Sequence, residues 1–498
     1  MANTFIPRAS PRLSRIETLL LVISLLAVVV HFESVARNWP GFFVDEASIA
    51  YNAHTIAQSG VDEHGSAYPL YFRAFGEYKN PVYIYVLAAV FKFTGPGIVA
   101  ARALSAALGL LAAIFLGLLA THITQRRLTG LIVFVAALLT PWLFEISRLV
   151  FEVSVFPAVL SAFLLLLYKA ARRDEWSWRV ATGLGVLLGI LTYTYSIGRL
   201  LAPLFALGLG LFLTSRRWRG IVLTWVVFGA MLLPLAYFSW QNPDALGHRF
   251  RYVTYVQPGD TPPKITLRFV RNYVGNFSPR SWLVAGDPEP RHHLPGMGSL
   301  LAGMVILAAL GFFLVLLRHN REAWWHFVLY GLLVSPIPAS LTLDHFHTLR
   351  LIALPVFLLI LTVPAIEFLA AETGSRPGAR RTLLATLVLL VLVQGGIFQS
   401  QFRMASERVD AFDSYYPEIL NAALAQPERP IYLFDKAPAA YMYAFWYATL
   451  RGLDPNNFQR ATREIPPPAG SVVVSHDLPC TNCQMIIEHG QFRTYLQN

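Results

Sequence analysis

Eleven apolar runs, most of them about 20 residues long, constrain this chain more than any other feature. They fall at 16–36, 97–121, 129–147, 150–170, 178–197, 199–214, 220–240, 298–317, 323–342, 348–370 and 382–402. Runs of that length span a bilayer as helices, which satisfy their own backbone groups in lipid; open sheets do not. The wider composition agrees: 55% of residues are hydrophobic, only 14% are charged, and the mean hydropathy is +0.49. The expected class is an all-α polytopic membrane protein, and length is not read here as a count of soluble domains.

Charge placement then orients the spans. The net charge of +11 is carried by short clusters between apolar runs: Arg126-Arg127, Lys169 with Arg172 and Arg173, Arg216, Arg217 and Arg219, Arg318 and Arg321, and Arg376 with Arg380 and Arg381. That pattern argues for positive-inside topology and against a nucleic-acid partner. Residues 1–15 carry Arg8, Arg12 and Arg15 and lead directly into an apolar run without a small-residue cleavage site, so this stretch reads as an uncleaved first span with a cytoplasmic N-terminus. The short Tyr-rich stretch 81–94 decides parity. If it stays at the outer surface as a juxtamembrane helix, every basic cluster falls in the cytoplasm; if it crosses, every one falls outside. The expectation is therefore 11 spans, with the C-terminal tail on the outer face. The membrane unit is 1–403, with a first outer loop at 37–96 and a second at 241–297, and a small extracytoplasmic α/β domain follows at 404–498.

On this topology the chemically capable side chains gather outside. Gly41-Phe42-Phe43-Val44-Asp45-Glu46 sets two adjacent carboxylates in apolar surroundings beside the first span. A solvated loop pair is the ordinary explanation, but burial near the interface penalises ionisation unless a cation or proton donor is close. A carboxylate placed there can act as a general base or hold a metal. Lys79, beside Tyr78 and before Pro81, is either an interfacial anchor or a point charge for a lipid phosphate. Arg148, four residues before Glu152, and Arg199, four residues after Tyr195, stand at outer span ends. Snorkelling and an i,i+4 ion pair between Arg148 and Glu152 would explain them in structural terms. Positive charge is thin on the outer side, however, so an anionic ligand explains them better.

The loop containing Asp287, Glu289, Arg291, His292 and His293 is either a connector or a stretch that closes over a site or contributes a metal ligand, with His292 and His293 as substrate-binding candidates. Its spacing matches no strong metal motif. Asp344, His347 and Arg350 form either a charged helix boundary or a set suited to sugar hydroxyls or a phosphate. Cys480 and Cys483 have redox spacing but lack a surrounding thioredoxin-like pattern, and read as a local disulfide. In the tail, Tyr416–Leu424 reads as helix, and 430–434 and 471–475 read as strands. No phosphate-binding glycine loop, dinucleotide fingerprint, zinc-protease motif or serine elbow is present. An outward-facing enzyme has no nucleotide-activated donors, so its donor must arrive in the membrane, as a polyprenyl phosphate does.

Taken together, these residues resemble the GT-C glycosyltransferases, in particular bacterial relatives of the protein O-mannosyltransferases and of the aminoarabinose transferase that modifies lipid A. The similar features are Asp45-Glu46 in the first outer loop, Lys79-Asn80-Pro81-Val82-Tyr83, Arg102 and Ser105 in the next span, Ser147-Arg148 with Glu152, Tyr195 to Arg199, the loop 286–298, and Asp344 with Arg350 and Pro355. The likeness runs over about residues 15–400, with Asn80 standing where the family often has Pro. It implies sugar transfer from a polyprenyl-phosphate-linked donor to a lipid, glycan or protein acceptor on the outer face of the cell membrane. In that reading Asp45 is the base, Glu46 a supporting or metal-assisting group, and Lys79 and Arg199 hold the lipid phosphate. Metal dependence varies across the superfamily, so no cofactor and no metal ligand is assigned, and a divalent metal stays open. The rival classes are a transporter or flippase of lipid-linked saccharides, favoured by Arg102 inside a span, and a non-catalytic scaffold displaying the tail.

Overall fold

The computed structural model describes residues 14–35, 41–372, 376–404, 410–435, 441–462, 464–476, 480 and 482–498. Arg8, Arg12 and the start of the first outer loop at 37–40 lie outside the described residues. Each of the eleven apolar runs is helical. Among the described residues, six helices are long and apolar enough to cross a membrane: Arg15–Phe32, Ile98–Thr124, Glu152–Ala171, Trp218–Gln241, Ala353–Ala370 and Pro377–Met404. The other five runs hold shorter helices than expected, three of them interrupted by prolines or a 3₁₀ turn. Arg127–Leu139 stops before Pro141, which starts a separate helix, Pro141–Ile146. Gly198–Gly208 tightens into a 3₁₀ turn at Leu209–Phe212. Ala323–Val334 ends before the Pro336 and Pro338 region. Trp178–Thr194 and Ala302–Arg318 complete the set.

Apolar side chains on the outside of the bundle mark its lipid-facing surface. On the Trp218–Gln241 helix, Val226 is 61% and Leu233 66% exposed. Lipid tails give no hydrophobic drive between helices, so close approach through small residues matters. Gly185 and Gly189 do this for the packing of Trp178–Thr194 on Trp218–Gln241: a Cβ on Gly185 would lie 2.8 Å from the Thr224 carbonyl oxygen.

The basic clusters meet at one end of the bundle, as alternating spans require. Arg217 donates to the carbonyl oxygens of Arg173 and Ala171. Tyr168 packs edge-on against Trp324, and Arg318 and Arg380 both lie over the Phe368 ring. The loop residues discussed below gather at the opposite helix ends.

The loop between the first two long apolar helices is more ordered than its composition suggests. A helix, Val44–Ser59, begins immediately after Phe43 and ends at Gly60 in the left-handed conformation (φ 73°). A short hairpin follows, β1 (Phe72–Ala74) with β2 (Glu77–Lys79), whose two turn residues Phe75 and Gly76 both have positive φ. Asn80 then precedes the Pro81–Thr94 helix, with Pro81 at its first position.

The tail is a mixed five-stranded sheet of order β4-β3-β5-β7-β6, built from β3 (Ile431–Asp435), β4 (Phe458–Ala461), β5 (Val472–His476), β6 (Cys483–His489) and β7 (Phe492–Gln497). β3 pairs parallel with β4 and β5, and β7 antiparallel with β5 and β6. The expected helix Tyr416–Leu424 is present, and a second one, Tyr441–Leu450, is added. Cys480 and Cys483 are joined as a disulfide. The sheet is not a detached appendage. Trp446 stacks between Phe42 and Phe91, and Tyr441 donates to Glu63, so the tail and the stretch 41–94 share one apolar core.

Candidate active site

The Val44–Ser59 helix positions the acidic pair. Gly41 turns the chain into it at φ 94°, and its carbonyl oxygen accepts from Arg102 at 2.8 Å. Glu46 is fully buried. One of its oxygens accepts from the Phe43 N–H (3.0 Å) and from Arg102 (3.3 Å), and the other from the Val150 N–H (3.0 Å). Glu46 therefore ties the helix start to the Ile98–Thr124 helix and to the turn at 150. Arg102, read above as an intramembrane charge of the kind transporters use, is the buried partner in this pair, so it carries no argument for transport.

One residue earlier, Asp45 turns the other way. Its carboxylate meets the Lys79 Nζ at 2.5 Å in the wall of a cavity of about 910 Å³. The hairpin register, Phe72 opposite Lys79, delivers that lysine. Burial acts to lower the Lys79 pKa, but Asp45 and then Glu152 and Glu77 outweigh it and leave the value raised, so the ammonium stays charged.

Of the other expected residues, Glu152, Tyr195, Arg199, His292, Asp344, His347 and Arg350 also line this cavity. Glu152 accepts from the backbone N–H and the side-chain amide of Asn80. A proline at position 80 would have neither donor, which makes Asn80 more than a neutral departure from the family pattern. Arg199 reaches the carbonyl oxygen of Ser196 at 3.5 Å, and its Nη1 is buried with no acceptor in hydrogen-bonding geometry among the described residues. Arg350 pairs with Asp344 and donates to Thr342 at 3.0 Å. Burial, and next the neighbouring Arg350, hold the His347 pKa down to about 3, so its ring is neutral at pH 7.

Three expected residues stand outside the cavity lining. Glu46 is used as described. Arg148 points back to the end of the first helix, donating to the carbonyl oxygens of Glu33 (3.1 Å) and Val30 (3.4 Å) and lying over the Phe144 ring. The i,i+4 pair of Arg148 with Glu152 does not form, because residues 147–151 are not helical and Glu152 turns to Asn80. His293 is buried against Glu145, Nδ1 to Oε2 at 2.5 Å, and its Nε2 contacts the Met297 carbonyl oxygen at 2.7 Å. Adjacent histidines in an irregular loop face opposite ways, which composition does not reveal.

Asp287, named above as part of its loop but not as a site candidate, also lines this cavity. Its Oδ2 accepts from the Thr348 N–H (2.7 Å) and hydroxyl (2.6 Å), and its Oδ1 from the Glu289 N–H (2.9 Å). Burial works to raise its pKa, but His292, His347 and Thr348 overcome this and hold it well below the usual carboxylate range. Asp287 thereby joins the 286–293 loop to the 344–350 turn. The pairing of an acidic side chain with a distant Thr leaves no local signature in the sequence.

Residues 61–242 match the family described as dolichyl-phosphate-mannose-protein mannosyltransferase. No curated protein matches the chain in sequence at a significant level. Among solved structures, ArnT from Cupriavidus metallidurans in the apo state superposes with a TM-score of 0.62 at 14% identity, covering 97% of this chain and 98% of that one. The same protein bound to undecaprenyl phosphate gives 0.60 at 14% identity, covering 96% and 97%. The chain is thus similar in fold to ArnT over nearly its whole length, and in sequence to the mannosyltransferase family over 61–242.

Proposed function

We propose that this chain is a membrane glycosyltransferase that moves a sugar from a polyprenyl-phosphate-linked donor to an acceptor on the outer face of the cytoplasmic membrane. The observation that carries this reading is the Asp45–Lys79 pair in the wall of a cavity that also holds Arg199, Arg350 and Glu152. The fold shared with ArnT and the family match over 61–242 support it. So does the undecaprenyl phosphate bound to that ArnT structure, since it is the kind of lipid the cavity's cations suit.

In this reading the bond between the anomeric carbon and the phosphate oxygen breaks, and the electron pair leaves with the polyprenyl phosphate. Lys79 and Arg199 stabilise that departing charge. An acceptor oxygen forms the new bond to the anomeric carbon, and Asp45 takes its proton. Glu46 acts through position, by holding the first turn of the helix that presents Asp45.

The test is transfer from polyprenyl-phosphate sugars by the purified chain and by Asp45→Asn. Asn preserves shape but removes the base, and a loss of about 10²–10⁴-fold is expected. Unchanged transfer by a folded Asp45→Asn protein would sink the assignment.

A further inference from the structure

The 286–293 loop and the 344–350 turn bring Asp287, His292 and His347 together in the cavity wall, and one ligand atom from each lies within 4.8 Å of the others. The carboxylate is fixed in place by Thr348 and the Glu289 N–H. Beside it, two imidazole nitrogens are left over. His292, 8% exposed, has its Nδ1 3.6 Å from Asp287 Oδ2, and this atom and the Nδ1 of His347 are buried with no hydrogen-bond partner among the described residues. The two rings stand 5.0 Å apart between centroids. Buried polar atoms without a partner forfeit the hydrogen bonds that water would have given them, and two such nitrogens around one anchored carboxylate call for a common partner.

We propose that Asp287, His292 and His347 form a three-ligand site for a divalent transition metal of the zinc or manganese class, with its remaining coordination positions open to the cavity. Two imidazoles with one carboxylate are a donor set that zinc and neighbouring transition metals accept, whereas calcium and magnesium take oxygen ligands. Bonds of about 2.0–2.2 Å in tetrahedral geometry set ligand atoms about 3.5 Å apart, so side-chain rotations that draw the rings inward by roughly an ångström complete the site. Thr348 supplies the outer hydrogen bonds that fix the ligating carboxylate. Arg350, three residues after His347, is paired with Asp344, so its charge is offset locally. The open positions face the same space as Lys79 and Arg199 and suit an oxygen ligand, a phosphate or a sugar hydroxyl.

The test reads bound metal, so its outcome is separate from that of the transfer assay. The full chain, purified in detergent through a tag without histidines, is stripped with chelator, loaded with Zn²⁺ and desalted. Elemental analysis is expected to find about one zinc per chain in the wild type and a small fraction of that in His292→Asn/His347→Asn. Co²⁺ loading of the wild type is expected to produce the visible d–d absorption of a low-coordinate site, which covers the case in which the double variant fails to fold. Equal metal in wild type and variant, or a wild type without that absorption, overturns the proposal.

Discussion

Glu46 separates position from chemistry most sharply. Its carboxylate is fully buried, accepts from two backbone N–H groups at 3.0 Å, and faces Arg102, which is 1% exposed. Glu46→Ala deletes one member of a buried ion pair and leaves the other charged. That change is expected to destabilise the fold by about 3–5 kcal/mol, most of it from the stranded guanidinium and the orphaned N–H groups. Removing both charges, as Glu46→Leu/Arg102→Met, restores much of the loss, because an apolar pair of similar volume is often as stable as the ion pair it replaces. The double-mutant cycle should therefore give a coupling of roughly 2–3 kcal/mol. The assay is thermal unfolding of wild type, Glu46→Leu, Arg102→Met, the double variant and Glu46→Ala in one detergent, with transfer measured beside it. Activity should follow stability: partly retained in the double variant, lost in Glu46→Ala. An Glu46→Ala protein as stable as wild type but inactive in transfer would refute this reasoning and make Glu46 a group that touches substrate.

Two further outcomes follow from the same geometry. Lys79→Met and Arg199→Gln each remove a cation from the cavity, and loss of a charge-assisted bond of about 1.5–3 kcal/mol should lower kcat/KM for the lipid-linked donor roughly 10- to 100-fold. Steady-state kinetics against donor concentration checks this, and unchanged values for both variants would contradict phosphate binding. Glu63 has its pKa raised above the ordinary 4.5, by burial first, against hydrogen bonds from Tyr441 and Asn52 that act to lower it. The folded state then holds the proton more tightly than the unfolded one, so the stability it contributes is present below pH 4.5 and is lost as pH rises through the folded value. Glu63→Gln cannot ionise, and should unfold at a higher temperature than wild type near pH 8 and at a similar one near pH 4. An identical gap at both pH values would contradict the sign.

Much of this protein was written along the chain. Apolar run length specified where the bundle helices fall, because a backbone in lipid has no other way to satisfy its polar groups; where five of them stop or break was decided elsewhere. The clusters from Arg126 to Arg381 set the expected alternation of the spans, since charge crosses the bilayer at high cost. Motif order placed Asp45, Lys79, Glu152 and Arg199 on one side, and all four line one cavity. The direction in which each side chain points was another matter. Asp45 and Glu46 are neighbours of like chemistry, yet the first turn of a helix sends one into the cavity and the other into the core, where Arg102 and the Val150 N–H wait 56 and 104 residues away. His292 and His293 divide in the same manner between cavity and core. The bond from Thr348 to Asp287 spans 61 residues, and the stacking of Trp446 on Phe42 closes a contact of still longer range. Such contacts have no local periodicity or propensity to announce them. They exist only once the helices have packed, because a buried polar group must pair with whichever partners packing has brought within reach.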